Sequence, residues 1–337
     1  MTHELKAILK AIKNVQKLNL KGVMASVVAL DGSSYRRPGV RMLIVENGTF
    51  IGAVSGGCVE KEVFRQAEEV FRTGIPKMMT YDGRYRLGCE GILYILIEPL
   101  NPSPELFAAF ELHLENRTEF KLKSYYRKSE GLNPEMGTVF IGNDNTTHAL
   151  IETVNTHLNT HFTQVMQPCQ RLIIFGGEHD AVVLTQLAAQ LGWDVEVIVA
   201  ADEQKSPEHF KGAHKFHQVI PESLELGLLD SQTAILLMTH SYSKDLKYLL
   251  RMSESKPAYF GILGPAKRRE RLLNDLLEYH PEVDEELLQH IYGPAGLDLG
   301  SEGPQEIAIS ILAEILAVIR KASPMNLRDK IGAIHDQ

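Results

Sequence analysis

The tightest constraint on this chain's fold is an alternation that begins at Arg171. Residues 172–175 form a short apolar run, and residues 181–191 carry the spacing of a buried helix. Residues 195–199 are a second β-branched run, and residues 234–238 and 258–263 are two more, each followed by a helical pattern. Strands that alternate with helices are joined by crossovers, which makes the sheet parallel and doubly wound. The C-terminal half is therefore predicted to be Rossmann-like. Ligands of such sheets bind outside the carboxyl ends of the strands, and that rule selects the loops worth reading closely.

The N-terminal half follows another pattern. Leu5, Ile8, Leu9, Ile12 and Val15 have the three-and-four spacing of a buried helical stripe. Residues 23–30 read as a strand that ends at the turn dipeptide Asp31-Gly32. Residues 40–45 and 49–54 flank Asn47-Gly48, a strong hairpin signal. A helix over 59–72 and a strand over 92–97 complete an α+β domain with antiparallel strands. Beyond it, Pro99, Pro102 and Pro104 suggest a connecting region, with a strand at 138–141 and a helix over 148–161. The polar stretch ending at Pro168 places a boundary there, giving an N-terminal domain at 1–168 that includes this connection and a Rossmann-like domain at 169–337. A chain of 337 residues suits two domains.

Charge and cysteine content narrow the function. Lys plus Arg is 35 and Asp plus Glu is 43, a net charge of −8, which argues against sequence-independent nucleic-acid binding. No apolar run is long enough to span a bilayer, and the first residues lack the apolar core of a secretory signal. Three cysteines, Cys58, Cys89 and Cys169, imply no disulfide framework and fit a reducing cytoplasm.

Four segments carry chemistry. Asp31-Gly32-Ser33-Ser34-Tyr35-Arg36-Arg37-Pro38-Gly39 can present hydroxyls and guanidinium groups to a phosphate or polar heterocycle, or simply be a solvated loop. Ser55-Gly56-Gly57-Cys58-Val59-Glu60 joins strand to helix. Its glycines allow close backbone approach and its free N–H groups would face a ligand, while Glu60 caps the helix or acts as a base. Cys58 there is a candidate thiolate or a buried inert residue. Leu87-Gly88-Cys89-Glu90-Gly91 sets a second cysteine between glycines, so Cys58 and Cys89 suggest one paired site, although two cysteines make a weak zinc signal. The fourth, Phe175-Gly176-Gly177-Glu178-His179-Asp180-Ala181, occupies the place of a dinucleotide-binding turn. Glu178 puts a side chain and a negative charge where a pyrophosphate would lie, and the acidic residue expected after the next strand is displaced to Asp202. Both argue against NAD(P). His179 and Asp180 are crevice candidates or helix caps. Met238-Thr239-His240 sets a histidine at another strand end, with a structural histidine as the alternative. Lys267, Arg268 and Arg269 read as an anion-binding helix start or, more simply, as a solvated face. A Gly/Pro-rich loop from Gly293 feeds a helix at 305–320.

Together these segments resemble the XdhC/CoxI family, and they do so in the family's order. Gly32 to Gly39, Val54 to Glu60, Leu87-Gly88-Cys89 and Ile97-Glu98-Pro99 resemble its N-terminal domain. Phe175 to Ala181, Met238-Thr239-His240, Tyr259 to Gly264 with Lys267-Arg268-Arg269, and Gly293 to Gly300 resemble its C-terminal Rossmann domain. The resemblance implies a cofactor chaperone rather than a catalyst. Such a protein binds the molybdenum cofactor and assists its sulfuration and insertion into a xanthine dehydrogenase-type apoenzyme. It further implies a cysteine desulfurase as a second partner and a homodimer. The residues it directs to the cofactor are Ser34, Arg36, Arg37, Ser55, Gly56, Gly57, Cys58, Glu60 and Cys89, with Gly176, Gly177, His179, Asp180 and His240 in the second domain. Cys58 and Cys89 are the metal candidates, since soft thiolates suit a sulfur-ligated molybdenum. The rival readings are an NAD(P)-dependent oxidoreductase and a thiol-based metal or redox protein.

Overall fold

The computed structural model describes residues 1–32, 37–57, 59–83, 91–151 and 153–332, excluding the side chain of Glu286. The chain divides into two compact units, Met1–Pro168 and Cys169–Gln337.

The first unit begins with α1 (Thr2–Lys17), whose stripe Leu5, Ile8, Leu9, Ile12 and Val15 is buried as its spacing requires. Each such side chain, fully buried, contributes about 1.5–3 kcal/mol. Then come β1 (Gly22–Asp31), β2 (Arg41–Val45), β3 (Phe50–Gly52), α2 (Glu60–Thr73), β4 (Lys77–Asp82) and β5 (Ile92–Pro99). They are followed by α3 (Pro104–Glu115), β6 (Phe120–Tyr125), β7 (Gly131–Leu132), β8 (Gly137–Ile141), β9 (Thr147–Ala149) and β10 (His161–Met166). One sheet has the order β3-β2-β1-β5-β4-β7 and the other β10-β6-β8-β9. Every pairing in both is antiparallel. The expected hairpin at Asn47-Gly48 is present as β2 and β3.

The period of two sorts the larger sheet's faces. Val23, Ala25, Val27, Met42, Ile44, Ile95 and Ile97 pack with Val63, Ala67 and Val70 of α2. Met24, Leu43 and Val45 face the other way, towards α1, α3 and the second sheet's Phe120, Leu122 and Phe140. Ser26 and Arg41 share the parity of Met24 and Leu43, and Glu98 is offset by one from Ile97, so three polar side chains lie buried on that second face. Thr138 donates to Glu98 from its backbone N–H (2.8 Å) and from its hydroxyl (2.5 Å). Arg41 donates to the Gly39 carbonyl at 2.8 Å and to Gln164 of β10. Burial pushes the Glu98 carboxyl up to about 7, against the Thr138 hydrogen bonds and the Arg41 charge.

Two expectations for residues 100–168 need correction. The proline-rich connection contains α3, capped by Ser103, whose side chain accepts from the Leu106 N–H, with Pro104 at the helix start. Among the described residues of 148–161 the expected helix is absent. Residues 147–149 pair with β8, and Ile151 and Val154 fill the space beside Gly137, where a methyl group would lie 2.8 and 2.7 Å from them. Asn155 then binds Glu135 through backbone and side chain. These tertiary contacts replace the helical spacing of the apolar residues.

The second unit contains β11 (Arg171–Phe175), α4 (His179–Gln190), β12 (Asp194–Val199), β13 (Ala213–Gln218), β14 (Thr233–Leu237) and α5 (Tyr242–Arg251). It ends with β15 (Tyr259–Ile262), α6 (Ala266–Tyr279), α7 (Glu285–Gln289), β16 (Ile291–Tyr292) and α8 (Pro304–Ile319). The six strands are all parallel, in the order β13-β12-β11-β14-β15-β16. That is the 3-2-1-4-5-6 order of dinucleotide-binding sheets, with its switch point between β11 and β14. The strands β11, β14 and β15 are buried at every residue, because α4 and α8 cover one face and α5 and α6 the other. β13 escaped the sequence reading, since its pattern is largely exposed at the sheet edge.

Candidate functional site

In the first unit the turn between β3 and α2 closes on itself. The Ser55 N–H and hydroxyl both donate to Glu60, each at 2.7 Å. The Ser55 hydroxyl oxygen accepts from the N–H groups of Gly57 (3.2 Å) and Val59 (3.3 Å). Partial burial works to raise the Glu60 carboxyl, but the bonds from Ser55 outweigh it and hold the group below the usual range. Glu60 is the first residue of α2, after the N-cap Val59, and the helix has no side-chain cap bond; its carboxylate is engaged by Ser55 and closes the turn rather than capping the helix. The donors of Ser55, Gly57 and Val59 are also not free for a ligand, contrary to expectation. Among the described residues the glycines face open space: a methyl group on Gly56 or Gly57 would meet none of them within 4 Å. Gly57 has φ +118°, a conformation that only glycine adopts readily.

Arg37 is exposed at the end of its loop. Ser34, Arg36, Cys58 and Cys89 lie outside the described residues. The root of the Arg36-Arg37 loop is anchored on one side by Asp31, which accepts from Lys128 at 2.7 and 2.8 Å and from the Tyr94 hydroxyl at 2.9 Å. On the other side the Gly39 N–H donates to Val27 at 2.8 Å.

In the second unit the loops at the carboxyl ends of the strands converge. Gly176 has φ +142°, and a methyl group there would collide with the Met238 carbonyl oxygen. A methyl group on Gly177 would lie 2.6 Å from Glu203 Oε2. Glu178 is the exposed N-cap of α4 and makes no side-chain cap bond. His179 opens α4 and is exposed. Asp180 Oδ2 lies 3.7 Å from His240 Nε2, with the two side chains 23% and 52% exposed.

His240 adopts φ +56°, unusual for a residue with a side chain. A buried network holds it there. Thr239 donates to Asp245 Oδ1 from its N–H at 3.3 Å and its hydroxyl at 2.6 Å. Arg268 Nη2 donates to Asp245 Oδ2 at 2.6 Å, and the Asp245 side chain is 1% exposed. The solvated-face reading of Lys267 to Arg269 is corrected at two of three positions. Arg268 serves Asp245, Arg269 donates to the Ile291 carbonyl at 3.1 Å, and of the three Lys267 alone is exposed. The Gly293 to Gly300 loop is laced down: the Gly296 N–H and the Tyr259 hydroxyl donate to Glu314 Oε2 at 2.8 and 2.6 Å.

Glu203 and Asp245 escaped sequence reasoning. Glu203 lies four residues beyond β12 and next to Asp202, so nothing in the local pattern separates the acid that points back to Gly177 from the one that pairs with Lys244 at 3.0 Å. Among the described residues no group of three or more His, Cys, Asp or Glu is placed to hold a metal ion. Nor, among them, is any helix long and apolar enough to cross a membrane.

Comparison with known proteins follows the same division. The model of the XdhC Rossmann domain matches residues 172–315, and that of the XdhC and CoxI family matches residues 16–82. A Bacillus subtilis (strain 168) protein, named as a probable subunit of xanthine dehydrogenase, is 28% identical over 90% of this chain and 94% of its own. The molybdenum cofactor insertion chaperone PaoD of Escherichia coli (strain K12) is 27% identical, over 88% of this chain and 83% of its own. Among solved structures, one described as a xanthine dehydrogenase from Bacillus halodurans superposes with a TM-score of 0.77 at 27% identity, covering 93% of this chain and 96% of that one.

Proposed function

This chain belongs to the XdhC and CoxI family, and from that premise we propose that it carries the molybdenum cofactor to a xanthine dehydrogenase-type apoenzyme and assists its sulfuration and insertion. The observation that carries the reading is the ordered match of both units, with one relative named as a molybdenum cofactor insertion chaperone along most of its length. The proposed cofactor set in the first unit is Ser34, Arg36, Arg37, Ser55, Gly56, Gly57, Cys58 and Cys89, with Glu60 shaping the turn. Gly176, Gly177, His179, Asp180 and His240 form the set in the second. Thiolates suit a soft molybdenum centre and guanidinium groups suit the pterin phosphate. A cysteine desulfurase as sulfur donor and a homodimeric assembly complete the proposal, and the protein acts as a carrier rather than as a catalyst.

The test is purification of the full chain from cells that synthesise the cofactor, followed by molybdenum and pterin analysis. Near-stoichiometric pterin is expected, and its loss in Cys58→Ala and in Cys89→Ala, with unchanged melting, would tie both thiols to one site. Protein free of pterin would refute the carrier reading. NAD(P) is proposed to bind weakly, because Glu178 puts a negative charge at the α4 N-cap where a pyrophosphate would sit. Calorimetric binding of NAD at micromolar concentration would overturn that.

A further inference from the structure

Between the two antiparallel sheets of the first unit, one guanidinium keeps donors without acceptors. Arg41 is 6% exposed, and its Nη1 donates to the Gly39 carbonyl and to Gln164 Oε1. Its Nε and Nη2, which form the other edge of the fork, are buried and reach no acceptor among the described residues. Ser26 stands directly across from Arg41 in the β1–β2 register and is 1% exposed. Its hydroxyl is likewise without a partner among them. Glu98 does not fill this edge. Its two oxygens accept from the Thr138 N–H and hydroxyl, and the Thr138 hydroxyl lies 2.8 Å from that of Ser124.

The same edge is occupied elsewhere in the chain. Arg65 clasps both oxygens of Glu62 through Nε and Nη2, at 3.0 and 2.5 Å. Arg171 gives Nε and Nη2 to Glu196 Oε2, at 3.1 and 2.5 Å. A planar fork of two N–H groups matches an anion with acceptors side by side. At Arg41 that fork lies in the interior, where an unmatched charged donor costs most. Burial pulls Arg41 down to about 10, which leaves it protonated near neutrality.

We infer that the Nε–Nη2 edge of Arg41 is an internal binding site for one small monovalent anion, with the Ser26 hydroxyl as a further donor. The surroundings set its size and charge. Met24, Leu43 and Leu96 share this face and are fully buried, which confines the ligand to a few atoms, such as formate or chloride. The charged groups facing the site are Glu98 of β5 and Glu4 of α1, both acting on Arg41. The Glu98 carboxylate repels an anion, so uptake of the anion goes with protonation of Glu98, and a neutral Glu98 leaves the Arg41 charge for the anion to balance. Arg41 also holds the Gly39 carbonyl, so the anion and the root of the 31–39 loop share one side chain. The site is separate from the residues proposed for the cofactor and requires neither molybdenum nor pterin.

Melting of the full chain in sodium formate and in sodium chloride, each against sodium gluconate at equal ionic strength, tests this. Gluconate is too large for the site and controls for general salt effects. Formate or chloride should raise the melting temperature by roughly 3–6 °C per tenfold concentration above Kd. The apparent Kd should be roughly tenfold weaker at about pH 8 than at about pH 6, following the protonated fraction of a carboxyl raised to about 7. A larger effect of formate marks a carboxylate as the preferred ligand, and a larger effect of chloride marks a halide. Arg41→Lys keeps the charge without the fork and should abolish the rise. Ser26→Ala should weaken binding roughly 2- to 10-fold. Glu98→Gln should keep the rise and remove its pH dependence, which decides the matter even if Arg41→Lys does not fold. Equal melting in all three salts at both pH values, a rise that survives in folded Arg41→Lys, or a pH dependence that survives Glu98→Gln would each overturn the inference.

Discussion

Two glycine pairs open the two units' strand-to-helix turns, Gly56-Gly57 and Gly176-Gly177, and they are glycines for different reasons. Around the first pair a methyl group would meet none of the described residues, and the turn's donors are consumed locally by Ser55 and Glu60. Around the second, each missing side chain is replaced by a distant part of the chain, the Met238 carbonyl at 176 and the Glu203 carboxylate at 177. The first turn is a self-sufficient local structure with an open outer surface. The second is a junction whose shape depends on residues up to about sixty positions away. A Gly-Gly dipeptide therefore says that backbone comes close to something, and leaves open whether that something is solvent, ligand or the protein itself.

The junction should break hardest. Asp245→Ala would strand Arg268 half-buried without its carboxylate and release the Thr239 turn, at a cost of about 3–5 kcal/mol. Chemical denaturation measures it, and a loss under about 1 kcal/mol would mean that the 238–241 turn holds its shape without the pair. Gly176→Ala comes next. It combines a backbone angle that L-residues avoid with a collision against a carbonyl oxygen, for about 3 kcal/mol. A variant that melts with the wild type would show that the close approach relaxes freely.

Extending the contrast from the turns to the units, the first should be the more pH-sensitive. Glu98 is raised in the folded state, chiefly by burial, from 4.5 to about 7. A raised carboxyl favours the protonated native state, so its contribution is fully present below 4.5 and lost as pH rises through 7. The loss should approach about 3 kcal/mol at most, and Glu98→Gln should flatten the profile. A wild-type profile that is flat between about pH 5 and pH 8 would place the charge elsewhere.

The smallest effects belong to the self-sufficient turn. Ser55→Ala removes the acceptor for two N–H groups and a donor to Glu60, costing about 1 kcal/mol. Gly56→Ala should change stability by less than about 0.5 kcal/mol while still being able to disturb whatever binds outside. If Gly56→Ala cost as much as Gly176→Ala in the same melting experiment, the distinction between the two turns would fail.

Periodicity and turn chemistry alone determined α1 with its stripe at Leu5, Ile8, Leu9, Ile12 and Val15, the hairpin at Asn47-Gly48, and the alternating strands and helices from Arg171. Those signals are local, because a buried stripe or a two-residue turn is set by neighbours within a few positions. Only the tertiary structure decided that residues 147–149 join a sheet rather than a helix, that Arg268 is committed to Asp245, and that Glu203 reaches Gly177. In each case the partner lies several to dozens of residues away. The energy that decides it, from packing against Gly137, from a buried ion pair, or from a carboxylate fixed by its own backbone, comes into being only when the chain has brought those residues together.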